Sequence, residues 1–350
     1  NVTDHSLSSV ITLNGTKPMC ELATYTLLGV SKEVWSPVRT YRTHLKLITC
    51  KSKITMRKKL YYYINALIIA LTLANCSTER IDPKNDKETF EKADDFLDSK
   101  KAEEQFYEIT EEGDGPLVAQ QGTKIWLSKD ILMYPNGDSV QFPYIIKVVE
   151  LYTPSDMIYY QMPSVSGNEL LTTHGEVRIR AFKNDVELVL RPDKIWALEI
   201  PYGDPENDMQ LLYGLGENKV NWQDTHQSEF TANAYGYYGE AKQLGWLACS
   251  RKLAESLLTT TYSLVSDSLD LGNVTTFIYV PTFKGLTQVY NNTTIPLILG
   301  ANIKVISMAK QGDQLVSFYQ ETTVNEDENQ LQVILQPVNE ATLSGMIESF

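Results

Sequence analysis

Catalysis and metal binding need side chains that ionise, ligate or attack. Beyond residue 75 this chain offers few of them close together. Its histidines there are His174 and His226, and Cys249 is the one thiol well inside that region. Asp224-Thr225-His226-Gln227-Ser228-Glu229 offers three oxygen or nitrogen ligands within six residues. On a strand, 224 and 226 share a face while 229 points the other way, so a metal needs a further ligand from elsewhere. A solvated loop accounts for the same residues. Cys249 with His174 or His226 could form a thiol–imidazole pair. Its neighbours Trp246 and Leu247 place it in an apolar run, where a cysteine ordinarily acts as a small buried hydrophobe. Gly214-Leu215-Gly216 lacks the third glycine and the βαβ setting of a dinucleotide loop. The acid pairs Asp94-Asp95 and Glu111-Glu112 fall in segments expected to be tether or loop, where carboxylates are ordinary solvated charge. No catalytic set, no metal site and no cofactor is read from these residues.

Aromatic residues are the more suggestive group. Trp222, Tyr235, Tyr237, Tyr238 and Trp246 fall within 25 residues. Exposed Tyr and Trp bind sugars and proteins well, because they offer contact area at low entropic cost. These five are the candidate binding residues. The plainer alternative is an aromatic-rich sandwich edge.

Charge narrows the partners. The chain carries 31 Lys/Arg and 44 Asp/Glu. Residues 1–75 hold ten of the basic and three of the acidic ones, which leaves 21 against 41, a net of −20, in 76–350. A surface that acidic repels phosphate backbones, so nucleic acid is not an expected partner. The four cysteines (20, 50, 76 and 249) match no zinc or CxxC spacing.

Cys76 has a distinctive approach. Met56-Arg57-Lys58-Lys59 is followed by a mostly apolar stretch from Leu60 to Ala74, then Asn75 and Cys76. Basic head, short apolar middle and small residues are the parts of a secretory signal peptide. The apolar stretch is short for a transmembrane helix. Leu73-Ala74-Asn75-Cys76 resembles the bacterial lipobox, with Asn75 where Gly, Ala or Ser is usual, a looser choice that Bacteroidota-type lipoproteins tolerate. The resemblance implies cleavage before Cys76 and its lipidation with diacylglycerol and palmitate. Two or more acyl chains anchor stably at about 0.8 kcal/mol per buried methylene. The implied location is the outer membrane of a cell envelope, on its periplasmic face or at the cell surface. Since the chain opens on Asn1 and a credible start lies at Met56, residues 1–55 are expected to be a non-native upstream extension.

The elements that would position the candidate residues are strands. Residues 76–116 read as a tether with a short helix, its apolar positions Phe90, Ala93, Phe96 and Leu97 spaced i, i+3, i+6, i+7. From residue 117 the period falls to two. Ile125 and Leu127 alternate with Lys124, Trp126 and Ser128. Pro135-Asn136-Gly137-Asp138 and Lys183-Asn184-Asp185 are turn signals. A long β-favouring run covers 142–151, and Val177, Ile179 and Ala181 alternate with Arg178 and Arg180. Short strands with polar turns point to a β-sandwich over 117–215. A connector over 216–240 and a second β-rich domain over 241–350 are expected to follow, with strands near 244–249, 259–265, 274–280, 303–309, 314–319 and 331–336. The acidic stretch 324–329 is expected to join the last two as a hairpin, and Leu343, Met346 and Ile347 suggest a terminal helix.

Residues 122–158 and 173–201 resemble the two halves of ZU5-like β-sandwich modules, and Leu244-Gly245-Trp246 resembles a Gly-Trp element of uncharacterised Bacteroidota envelope lipoproteins. The resemblance implies a mainly β fold of two β-sandwich-like domains, the first ZU5-like or Ig-like. It also implies an interaction role, since such modules in receptors and ankyrins are interaction domains. The expected function is a lipid-anchored envelope protein acting as a binding or structural module. Its partners would be the membrane, through the anchor, and an envelope protein or glycan. The alternative is an envelope hydrolase acting on polysaccharide or peptide, with acids or Cys249 in an interdomain cleft.

Overall fold

A computed structural model describes residues 89–215, 221–327 and 329–350, all within the unit Ile81–Phe350. Cys76, the signal peptide 56–75 and the segment 1–55 lie outside the described residues. The fold is mainly β, as the alternation predicts, with antiparallel sheets packed in layers.

In chain order the elements used below are helix α1 (Asp94–Lys100), strands β1 (Gln105–Ile109), β2 (Leu117–Val118), β3 (Lys124–Trp126) and β4 (Tyr144–Leu151), and helix α2 (Pro154–Tyr160). Then come β5 (Glu169–Lys183), β6 (Trp196–Pro201), β7 (Gln210–Leu215), β8 (Asn221–Gln223), β9 (Thr231–Asn233), β10 (Gly236–Ala241) and β11 (Gly245–Lys252). The last are β12 (Thr275–Val280), β13 (Gly285–Gln288), β14 (Asn302–Gln311), β15 (Gln314–Thr323), β16 (Gln336–Val338) and helix α3 (Glu340–Glu348).

The middle layer is the sheet β1-β4-β5-β11-β7-β8. One of its faces meets the outer sheet β9-β10-β6-β3-β2, and Ile146, Val177, Ile179, Leu198, Ile200 and Leu247 fill the space between them. Its other face meets the third sheet β13-β12-β14-β15-β16 and the helices, across Leu151, Leu171, Leu212, Phe277, Ile306 and Met308. Coverage on both faces explains β4. Its first half alternates, but Val148 to Leu151 are all buried, because a strand enclosed on both sides has no solvent face.

Some boundaries differ from the sequence expectation, each for a pairing reason. The expected connector 216–240 contributes β8, β9 and most of β10. The segment expected to open a second domain supplies β11, which lies inside the middle sheet between β5 and β7. From residue 89 on, the expected tether is part of the fold. Phe96 and Leu97 are buried on one face of α1, Ala93 is buried at its N-cap and Phe90 is buried ahead of it, and Gln105–Ile109 then pairs along β4 instead of continuing the helix. The hairpin expected across 324–329 does not form. Gln330–Gln332 instead pairs parallel with Ser263–Val265, and β15 takes β16 as its neighbour. The 183–185 turn appears as expected, with Asn184 and Asp185 both at positive φ, the geometry of a type I′ hairpin.

A bulge interrupts the centre of the middle sheet. Ala248 pairs with Glu176 and Ser250 with Thr173, so β5 sets two residues, His174 and Gly175, against the single Cys249. The extra residue reverses which side chains face which layer. Leu171 therefore points to the third sheet and Val177 to the outer one. Gly175 has φ of +143°, and a Cβ there would collide with the Tyr152 ring.

Candidate functional site

The outer sheet presents one face to solvent, and strand alternation decides what stands on it. In β6, Trp196, Leu198 and Ile200 point inward and are buried. Ala197 and Glu199 therefore point outward. Ala197 pairs with Trp126 on one side and Glu240 on the other, and Glu199 lies between Lys124 and Tyr238. Trp126 and Tyr238 are each 36% exposed, and their rings meet edge to face. Tyr235, at the tip of the β9–β10 turn, is 70% exposed.

A polar bridge joins these rings. Lys124 Nζ lies 2.5 Å from Glu199 Oε1 and 4.6 Å from the centre of the Tyr235 ring. Asn233 Nδ2 donates to Glu199 Oε2 at 3.1 Å, while its Oδ1 accepts from the backbone N–H groups of Tyr235 and Gly236. One asparagine thus holds both the carboxylate and the turn that presents Tyr235. Gly236 is required there. Its φ is +144°, and any Cβ would strike the Ile200 carbonyl oxygen. The face carries three exposed aromatic rings, the Lys124 ammonium and small Ala197 in its centre, above a buried Glu199 carboxylate whose oxygens Lys124 and Asn233 engage.

A cleft of about 600 Å³ opens beside this face, where the outer sheet meets β1 and the 110–116 loop. Trp126, Ala197 and Glu240 belong to both. The cleft floor includes Ile125, Tyr144 and Trp196. Burial, with the Glu112 carboxylate adding to it, pushes the Tyr144 phenol up to about 12, and its hydroxyl donates to the Leu127 carbonyl. The volume is that of an ordinary small-molecule site.

No protein-family model, curated protein or solved structure matches this chain.

Of the five aromatics expected to bind, two reach the outer face, Tyr235 and Tyr238. Tyr237 alternates inward from Tyr238 and is buried. Trp222 is fully buried between the middle and third layers, its Nε1 donating to the Pro163 carbonyl. Trp246 stands on the opposite side of the middle sheet, packed edge-on against Tyr160 with the Arg178 guanidinium 5.1 Å over its ring. The face gains Trp126, Lys124, Glu199 and Asn233, which the sequence reading did not select. Trp126 had left a signal, since it falls on the polar phase of the Lys124–Ser128 alternation.

The other candidates resolve differently. Cys249 is buried in the core, and burial pushes its thiol well up, so the nucleophilic thiolate is suppressed. Asp224 Oδ1 accepts from the Gln227 N–H within its own loop, and His226 sits edge-on to Tyr213. Among the described residues, no group of three or more His, Cys, Asp or Glu is placed to hold a metal ion. No helix among them is long and apolar enough to cross a membrane.

His174 lies in the bulge and Glu176 beside it. The Glu206 backbone N–H donates to Tyr237 Oη at 2.7 Å, and that oxygen lies within hydrogen-bond distance of His174 Nδ1, 2.8 Å away. His174 stacks on Tyr202 with ring centres 4.1 Å apart. Burial lowers its pKa to about 4, helped by the nearby Lys284 and Arg251 charges and opposed by Glu206. At neutral pH the 3.6 Å approach of Glu206 Oε1 to Nε2 is therefore not an ion pair. Glu176 lies between Leu151 and Ala248, fully buried, with no hydrogen-bond partner for either oxygen. Burial raises its carboxyl well above the ordinary range, so it is uncharged. Glu150, in the neighbouring strand, is as buried but accepts from Gln105 Nε2, Gln121 N and both Thr123 donors.

Proposed function

We propose that this chain is a lipid-anchored binding protein of a bacterial cell envelope, held to the membrane at Cys76, and that its outer sheet takes a glycan. The observation that carries the binding reading is the exposed set Trp126, Tyr238 and Tyr235 around the Lys124–Glu199–Asn233 bridge. Sugars present apolar C–H faces edged by hydroxyls. Flat aromatic rings beside fixed donors and a carboxylate match both features. The likeness of 122–158 and 173–201 to ZU5-like modules agrees with an interaction role. The thiol route to hydrolysis lacks support, because Cys249 is sealed in the core.

A glycan array probed with the full chain, alongside Trp126→Ala and Tyr238→Ala, tests the reading. Each substitution should weaken the binding seen with the parent chain about tenfold or more. Binding left at parental strength in both, or no binding to any glycan, would overturn it. The anchor is tested separately by metabolic labelling with palmitate. Label should appear on the parent chain and be lost in Cys76→Ser, and label retained by that variant would refute the anchor.

A further inference from the structure

The aromatic pair of the outer face lies between two clefts. The first, of about 600 Å³, reaches Trp126, Ala197 and Glu240. A second, of about 390 Å³, is lined by Ser228, Thr231, Tyr238 and Lys242. Ile195 and Glu240 line both clefts, so the two run into one another. Ile195, at this junction, is an apolar side chain left 45% exposed. The joint path crosses β3, β6, β10 and β9 in turn, over small Ala197, and β9 is the outermost strand on its side of the sheet. Four strands at roughly 4.8 Å spacing span about 14 Å, longer than one sugar ring. The rings along the path also restrict what can lie there. Trp126 and Tyr238 have planes 65° apart, so no single flat surface can stack on both.

We infer that the ligand is a single glycan chain held along its length, its internal units crossing the strands from one cleft into the other and meeting Trp126 and Tyr238 in turn. This rests on the glycan reading of the outer sheet and adds the shape of the ligand to it. Successive units of a free chain rotate about their glycosidic bonds, so different units can face the two tilted ring planes. A packed array of chains holds its sugar faces in one plane and can stack on only one of the rings. A lone sugar or a chain end would fill one cleft and gain nothing from the other.

The test is calorimetric titration of the full chain with disaccharides and hexasaccharides of the cello, malto, manno and chito series, together with retention on microcrystalline cellulose and chitin. In a series that binds, the hexasaccharide should bind at least tenfold more tightly than the disaccharide. A hexasaccharide capped at both ends should bind as the free one does. Ile195→Ala should remove most of the advantage of length and leave disaccharide binding unchanged. Val189→Ala, an exposed apolar position that lines neither cleft, should change neither. Equal affinity for the two lengths, lost in Trp126→Ala, would overturn this inference and leave the glycan reading standing. Loss of binding on capping, or retention on a crystalline solid that Trp126→Ala abolishes, would do the same. If no linear series binds but a branched glycan on the array does, the inference falls alone. If no glycan binds at all, it and the glycan reading fall together.

Discussion

Trp126 and Tyr238 meet edge to face across the outer sheet, ring centres 6.0 Å apart and planes at 65°. They come from β3 and β10, with β6 between them, so their contact spans a strand and depends on the small Ala197 and the bridged Glu199 beneath. Both are partly exposed, and an aromatic pair contributes only about 0.5–1.5 kcal/mol beyond its buried area. Trp126→Ala should therefore shift the urea midpoint little while weakening glycan binding about tenfold or more, a loss near 1.4 kcal/mol. A large loss of stability with unchanged affinity would contradict this division of labour.

Trp222 is the opposite case. It is fully buried, with its indole nitrogen bonded at 2.9 Å to the Pro163 carbonyl. Trp222→Ala should cost about 3–5 kcal/mol in chemical denaturation, and the fraction that stays folded should bind ligand as the parent does. Loss of binding without loss of stability would place Trp222 in the site after all.

Glu176 should make stability fall as pH rises. Its folded carboxyl lies above the ordinary 4.5, so the protonated acid is the form the fold favours. Its contribution is whole below 4.5 and is lost as the pH climbs toward and through the raised value. Glu176→Leu, which fits beside Leu151 and Ala248, should remove that slope and stabilise the protein at neutral pH by about 1–3 kcal/mol. Melting curves from pH 4 to 9 on both proteins check this, and parallel profiles would refute it.

His174 should titrate near 4, with the opposite sign. A base whose folded value is depressed loses its contribution as pH falls from the ordinary 6.5 through the folded value. NMR titration of the imidazole carbons gives the midpoint directly. A midpoint near 6.5 would mean the ring is more hydrated than its stacking on Tyr202 implies.

Cys249 should resist alkylation in the native state and react only after denaturation, as read by mass mapping of its peptide. Cys249→Ser buries a hydroxyl without a partner and should cost about 1–3 kcal/mol while leaving binding intact. Rapid native alkylation would reopen the thiol chemistry.

Much of the fold was legible because strands advertise themselves locally. Ile125 and Leu127 against Lys124 and Trp126, or the 183–185 turn, can be read within a few residues, since pleat and turn geometry depend on near neighbours. Helix α2 was not read, although Thr153 and Asp156 form a capping box around Pro154. The 324–329 hairpin was expected and did not form, because the partner of Gln330–Gln332 lies more than sixty residues earlier, at Ser263–Val265. Strand partners are chosen by long-range packing, which local patterns do not encode.

The site divides along the same line. Sequence alone determined the β class, the strongly acidic body, the aromatic richness of 222–246 and the alternating phase that turns Trp126 away from Ile125. Only the tertiary structure decided which aromatics are free. Tyr238 is exposed and Tyr237 buried because adjacent residues in a strand face opposite ways, and only the packed middle sheet fixes which way is inward. Trp222 is lost to the core because a third layer covers the far side of that sheet. Lys124, Glu199 and Asn233 come from three separate strands, and only sheet register brings them to one carboxylate.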